Sequence, residues 1–310
     1  PPRCGGPVSS HPFFWLDVFA EAPLAGNQLA VVLDADGVSD ETMLAFARET
    51  GLSETTFVQS PSVDATAADY RNRIWTIGGE VPFAGHPSLG TAVAVAISRG
   101  EPEVTYTQET GVGLQQVEVR RTPDGEPSGT GVVTGGAAEV REASVLQEAA
   151  EFGETEGRER CARLLGLNPD QLHPDYSAQL VSTGFPTLLV PLRDREALAA
   201  ATPVRSEFEM FDFGGLAVNV YPFVFDVPAR EAFSRCFALD LGDFEDPATG
   251  SAAGPLVAYL QDILDIDRIT VRQGIEMGRP ALLEARMDSG RPRVSGQVRL
   301  VLCGEADLPG

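Results

Sequence analysis

Glu80-Val-Pro-Phe-Ala-Gly-His-Pro-Ser-Leu-Gly90 and Glu245-Asp-Pro-Ala-Thr-Gly-Ser-Ala-Ala-Gly254 read as two versions of one segment. Glu80 matches Glu245, Pro82 matches Pro247 and Gly85 matches Gly250, about half the chain apart. Each segment opens into a strongly periodic stretch. After the first come Leu89, Ala92, Val93, Ala96 and Ile97; after the second come Leu256, Tyr259, Leu260, Ile263 and Leu264. Both sets fall at i, i+3, i+4, i+7 and i+8, one face of an α-helix. Pro87 suits the first helical position, where a missing N–H costs nothing. The chain therefore reads as a duplicated unit with one marked helix in each half.

Strands surround both helices. Phe13–Phe19 and Ala30–Leu33 are β-rich, as are Thr55–Val58 and Arg71–Thr76. A helix between them starts at a Ser39 cap, carries Asp40 and Glu41 in its first turn and ends at Gly51. Glu103–Thr107 and Gly113–Arg121 read as a hairpin. Residues 123–157, rich in Gly, Glu, Ser and Thr, are the expected domain boundary. Beyond them the order repeats: a helix near Arg158–Leu165, strands at Ala178–Val181, Leu188–Pro191 and Leu216–Val227, then the second marked helix. Strands at Arg268–Arg272, Ala281–Arg286 and Arg293–Leu302 end the chain. The expected division is residues 1–12 as a disordered leader, 13–150 as a first domain and 151–310 as a second, with the last strand free to return to the first.

Composition removes several functions. The 310 residues carry 45 acidic and 23 basic side chains, a net charge of −22, which disfavours nucleic acid or an anionic membrane as partner. Every basic residue is Arg, so there is no lysine for a Schiff base or a Walker loop. Apolar runs fall short of the ~18 residues that a membrane helix needs. Cys4, Cys161, Cys236 and Cys303 show no metal spacing, and His11, His86 and His173 form no zinc-binding pair. Gly111-Val-Gly113 and Gly129-Thr-Gly131 lack the third glycine of a dinucleotide loop. No cofactor is implied, and a reducing, cytoplasmic setting is the default.

The repeated segments carry the chemistry. Helix N-termini expose backbone N–H groups that favour an anion, and two such ends aimed into one cleft would suit a small carboxylate. His86 sits where the positive end of the helix dipole opposes its protonation, while the same field at the second helix favours an ionised Asp246. Ser251 matches His86 in position; its surroundings lack the nucleophile-elbow pattern, so it reads as a hydrogen-bond donor or cap. Glu54, in Leu52-Ser-Glu-Thr-Thr-Phe57, reads by itself either as a solvated strand-edge carboxylate or as an acid/base group.

Five motifs in one order carry a resemblance. Asp17-Val-Phe-Ala20, Pro23-Leu-Ala-Gly-Asn27, Leu52-Ser-Glu-Thr-Thr-Phe57, Pro82-Phe-Ala-Gly-His-Pro87 and Glu245-Asp-Pro-Ala-Thr-Gly-Ser-Ala252 resemble the phenazine-biosynthesis isomerase (PhzF-like) family, which has the diaminopimelate-epimerase fold. The resemblance implies an α+β protein of two pseudo-symmetric domains, each a mostly antiparallel sheet around a central helix, with the site in the cleft between them. It implies an isomerase working without metal or organic cofactor. Glu54 would move the proton, with His86 and Asp246 as catalytic partners and Asn27, Gly85, Gly250 and Ser251 binding substrate. The partner is a small molecule, and a second copy of the chain is a candidate partner. Related racemases place cysteines at the two helix ends, where this chain has His86 and Ser251. Gly78-Gly79, Gln28 and Ser88 depart from the family pattern, so the anthranilate substrate is not carried over. The expected function is a proton shift within a small, carboxylate-bearing metabolite, cyclic or open, in secondary metabolism. An epimerase or cyclase using the same cleft, and a binding protein without chemistry, are the alternatives.

Overall fold

The computed structural model describes residues 8–63, 67–122, 140–211, 218–238 and 245–309. The chain forms two compact units, Pro1–Val145 with Gly296–Gly310, and Leu146–Ser295. The elements run β1 (Val8–Val18), β2 (Asn27–Val32), α1 (Asp40–Thr50), β3 (Thr55–Gln59), β4 (Tyr70–Thr76) and β5 (Gly79–Val81). Then follow α2 (Gly85–Arg99), β6 (Glu103–Thr110), β7 (Gly113–Arg121), β8 (Val140–Leu146), β9 (Glu151–Glu156) and α3 (Arg158–Leu164). Next are β10 (Ala178–Ser182), β11 (Pro186–Pro191), α4 (Arg195–Ala200), α5 (Arg205–Met210), β12 (Asn219–Asp226) and β13 (Glu231–Ser234). The last are β14 (Cys236–Phe237), β15 (Glu245–Asp246), α6 (Gly250–Leu264), β16 (Arg268–Gln273), β17 (Ala281–Asp288) and β18 (Arg291–Pro309). None of the described helices is long and apolar enough to cross a membrane.

In the first unit β1 pairs antiparallel with β2, β2 parallel with β3, and β3 antiparallel with β4. The series continues β4–β6 parallel, then β6–β7 and β7–β8 antiparallel. β8 pairs with β18 and β18 with β1, which closes an eight-stranded barrel. Closure leaves the ring without an unpaired edge. The helix α2 packs on β1, β2, β3, β4, β6 and β7, and every residue from His86 to Ala96 is buried. A helix apolar on all sides belongs inside a core.

In the second unit β10–β11 is antiparallel, β11–β12 parallel, β12–β13 antiparallel, β13–β16 parallel, and β16–β17 and β17–β18 antiparallel. This is the succession of pairings found from β1 to β8. The helix α6, buried over nearly all of Gly250–Leu260, packs on β10, β11, β16 and β17.

Three expectations need correction. Residues 8–12 are not a disordered leader but the start of β1, with Val8 opposite Pro309 and Pro12 opposite Glu305; a strand whose partner lies at the other end of the chain leaves no local signal. Residues 1–7 lie outside the described residues. The unit boundary falls at Val145/Leu146, not at 150/151, while Gly296–Gly310 joins the first unit, the return of the last strand that the sequence allows. Residues 140–156 of the expected boundary segment contain β8 and β9; residues 123–139, with Gly129 and Gly131, lie outside the described residues. Both marked helices start earlier than expected, at Gly85 and Gly250, so Pro87 is the third helical residue and Pro255 is internal. Their first turns, Gly85-His-Pro-Ser88 and Gly250-Ser-Ala-Ala253, hold small or polar residues and carry no apolar periodicity.

Close packing explains Gly90. A Cβ there would lie 2.5 Å from Leu29 Cδ2 and 2.9 Å from Val18 Cγ2, both on fully buried side chains. Gly90→Ala should lower stability by roughly 1–3 kcal/mol through overpacking, although alanine is the better helix former by about 1 kcal/mol. A denaturant midpoint at or above that of the wild type would contradict this packing.

Candidate active site

The residues proposed from sequence fall into two groups, each within one unit. In the first unit, the parallel register of β2 and β3 sets Ala30 opposite Thr55. Glu54, one residue before β3, therefore lies level with Leu29, next to Gln28 and two residues after Asn27. His86 enters as the second residue of α2. Its Nε2 is 3.7 Å from Glu54 Oε2 and 3.3 Å from the Gln28 carbonyl oxygen. Asn27 Nδ2 donates to His86 Nδ1 at 3.1 Å. Glu54 is 9% exposed and His86 4%. The hydroxyls of Thr56 and Thr91, 2.8 Å apart, tie β3 to α2 behind this group. Asn27, Glu54 and His86 thus come together, and Gly85 is the first residue of the same helix.

In the second unit Asp246 Oδ2 accepts from Thr249 Oγ1 at 2.6 Å. Gln273 Nε2 donates to the Asp246 carbonyl at 2.7 Å and to Thr249 Oγ1 at 2.9 Å. Gln273 Oε1 accepts from the Thr249 amide at 3.2 Å and from the Tyr221 hydroxyl at 2.8 Å. Burial pushes the Tyr221 phenol far above its ordinary range, so it stays protonated and donates. It also accepts from Ser234 Oγ at 2.7 Å. Asn219 Nδ2 is 3.5 Å from Ser251 Oγ. Gln147 Nε2 donates to the Gly250 carbonyl at 2.9 Å, while its Oε1 accepts from Thr183 Oγ1 at 2.6 Å. The neighbours of Asp246 and Gly250 are thus buried amides and hydroxyls. Thr249 lies within the Glu245–Ala252 motif, although the sequence alone assigns it no role; Gln273 and Tyr221 carried no sequence signal, because β16 and β12 bring them in.

The same short device precedes each helix. Arg73 Nε and Nη2 donate to the two carboxylate oxygens of Glu80 at 2.7 and 2.6 Å. Arg235 Nε and Nη2 donate to those of Glu245, both at 2.7 Å. Each arginine also lies over the ring two residues further on, Arg73 5.3 Å from the Trp75 centroid and Arg235 4.8 Å from that of Phe237. Trp75 pairs with Glu80 across β4 and β5, and Phe237 with Glu245 across β14 and β15. Arg-x-aromatic opposite Glu-x-Pro is thus a second repeat, legible in Arg73-Ile-Trp75 and Arg235-Cys-Phe237 once the glutamates are matched. Neither N-cap side chain, Ala84 nor Thr249, hydrogen-bonds the first turn of its helix, so the arginine-held strand does the placing.

The two clamps differ in exposure. Arg235 and Glu245 side chains are 10% and 15% exposed; Arg73 is as buried, at 11%, but the carboxylates it holds, Glu80 and Asp40, are 36% and 73% exposed. Arg235 also donates from Nη1 to the Ala201 carbonyl at 2.6 Å. Removing one member of a buried pair costs about 3–5 kcal/mol, and a solvated pair costs about 1 kcal/mol or less. Arg235→Met should therefore destabilise by about 3 kcal/mol and Arg73→Met by clearly less. Equal losses in chemical denaturation would refute that ranking.

Comparison with known proteins follows this geometry. The family profile for phenazine biosynthesis-like proteins matches residues 16–306. A trans-2,3-dihydro-3-hydroxyanthranilate isomerase from Pseudomonas aeruginosa is 34% identical over 288 residues, covering 92% of this chain and 93% of its own. The solved structure of a predicted epimerase from the same organism superposes with a TM-score of 0.78 at 34% identity, over 96% of this chain and 99% of that one. A hydroxyproline epimerase from Agrobacterium vitis, 13% identical over 97% of this chain and 93% of its own, shares the fold with a TM-score of 0.63. The chain is an isomerase and belongs to the phenazine biosynthesis-like protein family.

Proposed function

We propose that the protein moves a proton between two carbon atoms of a small, carboxylate-bearing metabolite, with no metal or organic cofactor taking part. The observation that carries this reading is the buried Glu54 carboxylate facing His86 Nε2 at 3.7 Å beside the start of α2. A carboxylate so placed can take a proton from a carbon acid. The electron pair left behind delocalises into the adjoining π-system, and the protonated Glu54 returns the proton to a different carbon, so the net change is isomerisation. His86 assists through its Nε2 side. Asp246 is assigned as a further catalytic partner and Gly250 and Ser251 as substrate-binding residues, with helix-start backbone N–H groups stabilising the enolate-like charge. The shared succession of strand pairings and the twin arginine clamps support descent of the two units from one repeated unit.

Relatives named trans-2,3-dihydro-3-hydroxyanthranilate isomerase make a cyclic amino-carboxylate the first substrate to try. The absence of cysteine at the His86 and Ser251 positions favours a single carboxylate shuttle over a two-thiol racemase. Incubation in D₂O with that compound and a panel of small cyclic carboxylates, followed by NMR, should show a double-bond shift, with deuterium at the accepting carbon in the fraction of turnovers where the proton on Glu54 exchanges with solvent before its return. Glu54→Gln should retain the fold and lose roughly 10²–10⁴ in rate. Full turnover by a folded Glu54→Gln variant would remove Glu54 from the mechanism.

A further inference from the structure

We propose that Asn27 is a positioning residue that holds His86 in the Nε2–H tautomer, so that Glu54 is the single base of its group; the catalytic consequence rests on the function proposed above. The argument begins with the turn before β2. Gly26 has φ +68°, and a Cβ there would lie 2.3 Å from the Val18 carbonyl oxygen, so only glycine fits. That turn delivers Asn27 as the first residue of β2, opposite Val18 and 2% exposed. Its Nδ2 lies 3.1 Å from His86 Nδ1. An amide nitrogen can only donate, so Nδ1 must offer its lone pair. The ring proton is then on Nε2, whose neighbours are the Gln28 carbonyl oxygen at 3.3 Å and Glu54 Oε2 at 3.7 Å. Both neighbours are acceptors when Glu54 is ionised.

Consecutive residues of one strand thus read the two ring nitrogens with opposite polarity: the side chain of Asn27 donates to one, and the backbone of Gln28 accepts from the other. The opposite tautomer would set an N–H against an NH₂ on one side and a lone pair against two oxygens on the other. Both residues are too buried for water to relieve that conflict. The Nε2–H tautomer leaves no lone pair facing Glu54, so His86 acts as a neutral donor beside the carboxylate and does not compete with it for the substrate's proton. Asn27, placed from sequence among the substrate-binding residues, acts on this reading through the imidazole.

The test is the ¹⁵N signature of His86 in protein labelled at histidine, assigned by loss of its signals in His86→Gln. Wild type should show an unprotonated Nδ1 and a protonated Nε2. Asn27→Ala should weaken this preference, leaving only the Gln28 and Glu54 side to select it. Asn27→Asp, whose carboxylate can only accept, should protonate Nδ1. On a substrate that passes the D₂O test, Asn27→Ala should lower kcat roughly 10- to 100-fold, the range seen when a partner orienting a metal-ligating imidazole is removed, with KM little changed. A wild-type ring protonated on Nδ1, or a tautomer unmoved in both folded variants, would overturn the proposal. The tautomer is measured without substrate, so a failed assignment of Glu54 would leave this result readable on its own.

Discussion

Each buried helix begins after a short strand whose glutamate is held in a two-pronged grip by an arginine, and the placing of each helix start, with the candidate residues on it, depends on that grip. A helix buried on nearly every side gets its stability from packing, but packing along its length does little to set where its first residue lies. Here the first residues matter most, since His86 and Ser251 are each second in their helix. The Glu80 and Glu245 clamps fix the approach strands β5 and β15. They fix them with two parallel hydrogen bonds, which set direction as well as distance.

This device explains part of the composition. A lysine ammonium could neutralise Glu245, but it could not match both carboxylate oxygens while also donating to the Ala201 carbonyl and lying over Phe237. A chain whose cations are all arginine is well supplied with such forks. The large acidic excess lies elsewhere, mostly on solvated surface, and bears on solubility more than on fold.

The two candidate groups are built differently. In the first unit a carboxylate and an imidazole face one another, with the ring's polarity dictated by the adjoining strand. In the second, the Asp246 side chain accepts from Thr249 and its carbonyl from Gln273, which in turn accepts from the Tyr221 phenol, kept protonated by burial. One arrangement suits moving a proton, and the other suits holding a polar group in a defined orientation. The recurring pairing order supplies similar frames, while local side chains set this difference.

What the sequence by itself determined is local or repetitive. The apolar periodicity after Leu89 and Leu256 marks the two central helices, Ser39 and Gly51 bracket α1, and the matched Glu, Pro and Gly residues announce the repeat. Glu54, His86 and Asp246 stand out because they lie in motifs at element ends, where chemistry is read from neighbours in the chain. Tertiary structure decided the partnerships. Residues 8–12 become a strand only against residues 305–309, Gln273 joins Asp246 from β16, and Asn27 meets His86 only because β2 and α2 are packed together. The physical reason is the range of the forces: propensity, capping and amphipathicity act over a few residues and leave a trace in the string. Strand pairing and buried hydrogen bonds join positions far apart in sequence and leave none until the barrel closes and the core excludes water.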